Sequence, residues 1–245
     1  MENIEEKPMQ DLLQELIEVT NSLSMQNRHL IFNLDWKNTI PSTIIVRREA
    51  ELAADYIEQN MPKITHFTSG MKNLLWDFVP SKTTLDGHIA EFGVWKGESI
   101  NYLAQLFHPK TIFGFDSFKG LEEDYSFDYL KGGFNQNGVP PLVQENVELV
   151  IGSFSNTLPT WLKENPGIFS FINIDCDTYE STKTVLNLLG PERITSGTVI
   201  LFDEYLGFPG WKNHEFKAWQ SYCNKNNVNY NYIAVCGYQV LIEVL

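Results

Sequence analysis

Two short stretches, "INIDCDTYE" (172–180) and "VILFDEY" (199–205), each end an apolar run on closely spaced carboxylates. Asp175 and Asp177 close the first, and Asp203 and Glu204 close the second, 28 and 29 residues after Asp175. If the runs are neighbouring parallel strands, all four acids meet in the crevice beyond the strand ends, where open α/β sheets bind ligands. The two-residue strand period would put Asp175 and Asp177 on one face and turn Cys176 away. Neither pair has a Lys or Arg beside it, so the carboxylates repel one another unless a cation lies between them. Hard oxygen donors suit Mg²⁺, Mn²⁺ or Ca²⁺ rather than zinc. The alternative is that these acids are helix N-caps and solvated loop ends. Asp203 and Glu204 point to opposite sides of a regular strand, so joint ligation requires the strand to have already turned.

A second group of residues has the spacing of a nucleotide-type site. In "HIAEFGVWKGES" (88–99) an apolar run ends at Glu91-Phe92-Gly93 and passes into a helix start containing Gly97 and Ser99. The glycines are four apart, which is not the G-x-G-x-x-G spacing of a dinucleotide site. Gly93 permits a tight turn under a ligand, and the first helical turn offers free N–H groups near Ser99. An acidic Glu91 suits an ammonium better than a pyrophosphate. Asp116 ends the next run, 25 residues after Glu91, where a carboxylate can accept both hydroxyls of an adenosine ribose. Ser153 and Phe154, in "GSFSNTLP", suit the edge and face of an adenine. Ser155 or Asn156 in the same stretch could equally be a helix N-cap.

These residues need a scaffold that lines up strand ends. From residue 86 the sequence alternates short apolar runs (88–94, 111–118, 147–154, 169–176 and 198–205) with helical patterns over 98–107, 155–164, 180–190 and 213–225. Strand alternating with helix predicts a mostly parallel sheet covered on both faces. The chain ends in "NYIAVCGYQVLIEVL", two strands about Gly237 forming an antiparallel hairpin. Residues 119–146, rich in aromatics, Gly and Pro, read as a long lid or binding loop. Helical spacing marks 9–23, 48–61 and 65–79, with "NLDWKNTIPST" between the first two as a loop broken by Pro41. The expected division is a helical extension over 1–80 and an α/β domain over 81–245.

Composition narrows the function. The 245 residues are 43% hydrophobic and carry a formal net charge of -13, with 31 acidic against 18 basic residues. Such a balance argues against nucleic acid or an anionic membrane surface as partner. It fits a cation site or a small-molecule substrate. Cys176, Cys223 and Cys236 form no framework or C-x-x-C pair, the N-terminus is acidic and polar, and no run approaches a membrane span. The expectation is a cytoplasmic protein.

Taken together, "EFGVWKGES", "GFDSFKGLEE", "GSFSNTLP", "INIDCDTYESTKTVLNLL" and "VILFDEYLGFPGW" resemble, in order and spacing, the macrocin and mycinamicin sugar O-methyltransferases over roughly residues 86–222. The resemblance implies a class I methyltransferase, Rossmann-like sheet, with S-adenosylmethionine as cofactor and Mg²⁺ (or Mn²⁺) as metal. It implies that Glu91 and Gly93 face the methionine end, beside the helix start at Ser99, that Asp116 holds the ribose with Ser117 beside it, and that Ser153 and Phe154 frame the adenine. Asp175, Asp177, Asp203 and Glu204 would hold the metal, Asp175 also serving catalysis and the cofactor's edge. His214, ten residues after Glu204, is the other candidate base. The implied partners are a small-molecule hydroxyl acceptor, a sugar or glycoside, and further copies of the chain, with the helical extension contributing to oligomers and site closure. The sequence departs from that pattern at Glu204, where the family has a second Asp, at Ser196-Gly197, and in "LGFPGWKNHEFKAW" after Tyr205. A nucleotide-dependent oxidoreductase or epimerase, or a non-catalytic cofactor-binding module, are the competing readings.

Overall fold

The structure is a computed structural model that describes residues 13–14, 16–25, 40–68, 71–125 and 130–245. The chain divides into two units, Met1–Arg48 and the compact Glu49–Leu245. Its strands are β1 (Thr65–Phe67), β2 (His88–Phe92), β3 (Ile112–Asp116), β4 (Val147–Ile151), β5 (Phe169–Ile174), β6 (Val199–Phe202), β7 (Tyr230–Cys236) and β8 (Gln239–Val244). They form one sheet in the order β1-β7-β8-β6-β5-β2-β3-β4. Only β8 runs against its neighbours, β6 and β7. The expected parallel sheet with a terminal antiparallel hairpin is therefore observed, the class I methyltransferase arrangement.

The apolar runs are strands because both faces of the sheet are covered. Along β6, Ile200 and Phe202 face one core while Val199 and Leu201 face the other, and β8 divides the same way at Ile242 and Leu241. The helices are α1 (Pro41–Asn60), α2 (Lys72–Lys82), α3 (Glu98–Phe107), α4 (Phe154–Glu164), α5 (Tyr179–Leu189) and α6 (Glu215–Asn226). Leu158, Leu186 and Trp219 carry α4, α5 and α6 onto the first face, and Leu75 and Leu103 carry α2 and α3 onto the second. Among the described residues no helix is long and apolar enough to cross a membrane.

The first 80 residues differ from the expected helical extension. Pro41 opens α1 instead of breaking a helix, as its fixed φ and missing N–H permit at the first helical position. Residues 65–79 are not one helix: Thr65–Phe67 pair with β7 as an edge strand, and the helix starts only at Lys72. The α/β unit thus reaches back to Glu49 rather than to residue 81. The helical pattern over 9–23 is met at 13–14 and 16–23, and its remainder lies outside the described residues, as does most of the loop 33–43.

Chain direction sets the site. From β2 the chain builds outward through β3 and β4, then returns to place β5 and β6 on the other side of β2. This reversal opens a crevice at the carboxyl ends. There the ladder continues one residue beyond each strand: Gly152 N donates to Asp116 O (3.0 Å), Gly93 N to Phe115 O (3.0 Å), Asp175 N to Phe92 O (2.9 Å) and Asp203 N to Ile174 O (2.9 Å). Gly93 has φ +96, and a Cβ there would collide with the Asp175 carbonyl oxygen. Gly93→Ala is therefore expected to cost roughly 3 kcal/mol or more, combining a left-handed φ with a backbone clash. Urea unfolding measures this, and a midpoint equal to that of the unchanged protein would show that the strand tips do not need so close an approach.

Candidate active site

Five strand tips open into a single cavity of about 820 Å³, lined among others by Gly93, Ser99, Asp116, Ser117, Ser153, Phe154, Asp175, Asp177, Asp203 and Glu204. Most of the residues singled out in the sequence are thus brought together. In sheet order, Ser153 and Phe154 follow β4, Asp116 ends β3, Gly93 follows β2, and the acid pairs follow β5 and β6. Four gaps of about 4.8 Å span roughly 19 Å, the reach of an extended adenosine with an amino-acid tail.

Glu91 does not line this cavity. It lies fully buried beneath it, with Oε1 accepting from Ser99 Oγ (2.9 Å) and Oε2 from Asn173 Nδ2 (2.9 Å). Burial pushes its carboxyl up to about 8, with the Asn173 and Ser99 hydrogen bonds pulling the other way. The expectation that Glu91 itself faces an ammonium is corrected: Ser99, fixed by Glu91, is the surface a ligand meets.

Asp116 is also more committed than its spacing suggests. Its Oδ2 accepts from Val94 N and Trp95 N, both at 2.8 Å, and Oδ1 accepts from Phe118 N at 2.7 Å. A carboxylate offers about four acceptor positions, so one remains, on Oδ1. Asp116 holds the turn after β2 and can take one ribose hydroxyl, not two. Ser117 Oγ accepts from Lys119 N (3.2 Å). Ser153 is itself the N-cap of α4, without a side-chain capping bond, and Phe154 packs edge-on against Phe92.

The acids separate into a trio and a single residue. Asp175, Asp177 and Glu204 each offer an oxygen, and these lie within 4.8 Å of one another. They do not meet by strand period: β5 ends at Ile174, and Asp177 is turned inward by a left-handed φ of 58. Likewise β6 ends at Phe202, so the chain has turned before Glu204. Cys176 turns its Sγ toward Thr182 Oγ1 (3.5 Å).

Asp203 lies beside the trio with both oxygens engaged by other partners. Lys72 Nζ lies 2.5 Å from Oδ2, and Gln239 Nε2 donates to Oδ1. This corrects both the four-carboxylate metal set and the absence of a base beside it. Lys72 comes from α2, distant in sequence, and nothing in "MKNLLWDFV" marks it. Its burial works against the charge, but Asp203, with Asp175 and Glu204 nearby, holds its pKa above the ordinary lysine value.

Burial raises the Asp175 carboxyl well above the usual range, reinforced by Asp203, Asp177 and Glu91. Asp177 is pushed up to about 7 by burial, despite a hydrogen bond from Glu204. Glu204 is raised by burial and then by Asp203, and its Oε2 is buried without a partner. An unpartnered buried carboxylate oxygen beside two others is what a bound divalent ion would satisfy, so the trio fits a hard cation. Glu215, missed in the sequence, is fully buried behind it and accepts from Glu204 N at 3.1 Å.

His214 is not in the lining. It sits behind Tyr125, with ring centroids 4.8 Å apart, and burial lowers its pKa. Of the two candidate bases, Asp175 lines the cavity and His214 does not. The 119–146 loop supplies Tyr125 and Phe134 to the lining, and Leu121 N to Gly133 O (2.9 Å) ties its limbs together.

The sheet order, with the cavity at its strand tips, is that of the class I methyltransferase fold. Residues 90–205 match the model of a methyltransferase domain family. The chain is a methyltransferase that uses S-adenosylmethionine. It is 24% identical over 208 residues to the 8-demethyl-8-(2,3-dimethoxy-alpha-L-rhamnosyl)-tetracenomycin-C 4'-O-methyltransferase of Streptomyces olivaceus, covering 73% of this chain and 77% of that protein. Its fold matches the calicheamicin methyltransferase CalS11 with a TM-score of 0.58 and 22% identity, over 84% of this chain and 93% of that one. The apo structure of CalS11, described as a TDP-rhamnose 3'-O-methyltransferase, matches at 0.52 and 24%, over 84% and 95%.

Glu91 gives a test by pH. Its pKa in the folded protein, about 8, lies above the ordinary 4.5, so between those values the folded state holds a proton that the unfolded chain has lost. Stability from this group is therefore present at low pH and is lost as pH rises toward 8, at up to about 1.4 kcal/mol per pH unit. Glu91→Gln, neutral throughout, should remove that slope. Urea unfolding in EDTA from pH 5 to pH 8 compares the two proteins, and a pH-independent difference would mean Glu91 is charged in the fold.

Proposed function

We propose that the protein methylates a hydroxyl of a sugar carried on a small molecule, with a divalent cation, Mg²⁺ or Mn²⁺, held at Asp175, Asp177 and Glu204. The observation that carries this is the meeting of three carboxylates in the same cavity as the Asp116, Ser153 and Phe154 strand tips. S-adenosylmethionine supplies a methyl group already activated as a sulfonium. A divalent cation at the trio would lower the pKa of a hydroxyl brought to it. The similarity to enzymes described as acting on a rhamnosyl tetracenomycin and on TDP-rhamnose supports a sugar acceptor.

The chain's own residues supply placement. The Gly93 turn and Ser99 receive the methionine end, the free position on Asp116 takes a ribose hydroxyl, and Ser153 with Phe154 bounds the adenine. Alignment of nucleophile and methyl group is a large part of the work in such a transfer. Asp175, lining the cavity, takes up the acceptor proton; its burial favours the protonated form that results. Tyr125 and Phe134 of the 119–146 loop cover the site and limit water. The helical stretch 16–25 exposes Leu16, Ile17 and Leu23, which supports a homo-oligomer formed through the N-terminal segment.

Two measurements test this reading. S-adenosylhomocysteine should raise the melting temperature, by mass action on the native state, whereas NADH should not; the opposite result would return the oxidoreductase reading. Methyl transfer to a rhamnoside should stop in EDTA and return with Mg²⁺. Glu204→Gln should weaken Mn²⁺ binding and lower turnover by roughly a hundredfold, while leaving the S-adenosylhomocysteine shift in place. Unimpaired turnover of that variant in EDTA would reduce the trio to a structural cluster.

A further inference from the structure

The backbone ladder at the strand tips stops short of two members of the trio. Its last amides on this side are Asp175 N, donating to Phe92 O, and Asp203 N, donating to Ile174 O. β5 has ended at Ile174 and β6 at Phe202, so Asp177 and Glu204 stand on turns beyond the sheet. Buried backbone amides there need acceptors from elsewhere.

Glu215 supplies one. It opens α6, is fully buried, and lies outside the cavity lining. Its Oε2 accepts from Glu204 N at 3.1 Å. Burial holds its carboxyl well above the usual range, reinforced by Asp177 and Asp203, while hydrogen bonds from the Glu204 and Asp177 backbones work the other way. One carboxylate thus bonds the backbone of both turns that carry cation ligands. Its own place is fixed by the helix, where Trp211 just before it and Trp219 one turn on are fully buried. The other oxygen, Oε1, is buried without a partner. An apolar side chain of similar size would pack there without that cost, so the work of this position is polar.

Resting on the cation reading above, we infer that Glu215 is a positioning residue, which holds the Asp177 and Glu204 turns from behind and keeps their carboxylates within 4.8 Å of Asp175. It lines no part of the cavity and acts through the two ligands alone. Asp177, with its left-handed φ of 58, depends most on such support. Asp175 has its amide in the ladder and depends on it least. Ligands oriented by a fixed outer partner bind their ion more tightly than ligands that binding must first order.

Two substitutions in the full chain separate this role from packing. Glu215→Met keeps the volume and removes the acceptor, whereas Glu215→Gln keeps a carbonyl oxygen for the amides. In a Mn²⁺ titration followed by electron paramagnetic resonance, Glu215→Met should weaken binding by roughly ten- to a hundredfold and Glu215→Gln by only about threefold. S-adenosylhomocysteine should still raise the melting temperature of both, since Asp116, Ser153 and Phe154 are untouched. Trp219→Phe loosens the same helix, so it should lower the melting temperature and leave Mn²⁺ affinity unchanged. Full Mn²⁺ affinity in Glu215→Met, or an equal loss in Trp219→Phe, would overturn the inference. If Glu215→Met does not fold, Glu215→Asp, one methylene short of the amides, carries the same expectations. Hydrogen exchange in EDTA decides the matter even if the unchanged protein binds no Mn²⁺, a result that would sink only the cation reading. Glu215→Met should then speed exchange over 175–179 and 203–207 and leave β3 as it was. Unchanged exchange in both segments would overturn the inference whatever Mn²⁺ does.

Discussion

Carboxylates brought within 4.8 Å of one another at the carboxyl ends of two strands repel, and much of this structure is arranged to tolerate that. Asp203 stands next to the trio and would add a fourth charge. It is neutralised by Lys72 from α2 and bonded by Gln239 from β8. Both partners lie outside residues 90–205, the part that matches the methyltransferase domain. The terminal hairpin and the helix before β2 thus complete the electrostatics of a site they do not otherwise build. Burial does the rest, raising Asp175 and Glu204 so that protons can stand in where no cation does.

The sheet could be read from the sequence because its strands are buried on both faces. Runs such as "FSFINI" and "VILF" need no alternation when each side meets a core, and their ends fall within a few residues of the observed ones. The strand tips carried the site for the same reason: a polar residue at the end of an apolar run stands out. Asn173 was a further signal of that kind, one amide inside a buried strand, and it marks the partner of Glu91. Lys72 had no such signal. A lysine at a helix start looks like any solvated residue, and its ion pair spans 131 positions of chain.

Residue type was a better guide than residue task. Glu91 and Asp116 sit at the expected strand ends, yet each spends its oxygens on the protein. Glu91 fixes Ser99 and Asn173, and Asp116 fastens three amides around the turn. Spacing locates a carboxylate but cannot count its hydrogen bonds, since those depend on where the neighbouring loop folds back. The edge strand β1 escaped notice for a related reason. Three residues are too few to show a period, and only pairing with β7 makes them a strand.

The period-two argument for Asp175 and Asp177 reached a sound grouping by a wrong route, and the difference matters for how the trio is held. Had both residues been on a strand, their side chains would project in parallel, set apart by the pleat. Instead the strand stops at Ile174, and Asp177 adopts a left-handed backbone that turns it back toward Glu204. Asp is among the few residues other than Gly that accept this conformation, because its short side chain can bond locally. Trp95, on the neighbouring turn, is also left-handed, with φ 47, and is pinned there by Asp116. Such conformations persist only where the surroundings over-determine them. Here the amide ladder that runs past every strand tip provides that restraint, from Gly152 across to Asp203. The placement of the three carboxylates is consequently set by the sheet itself.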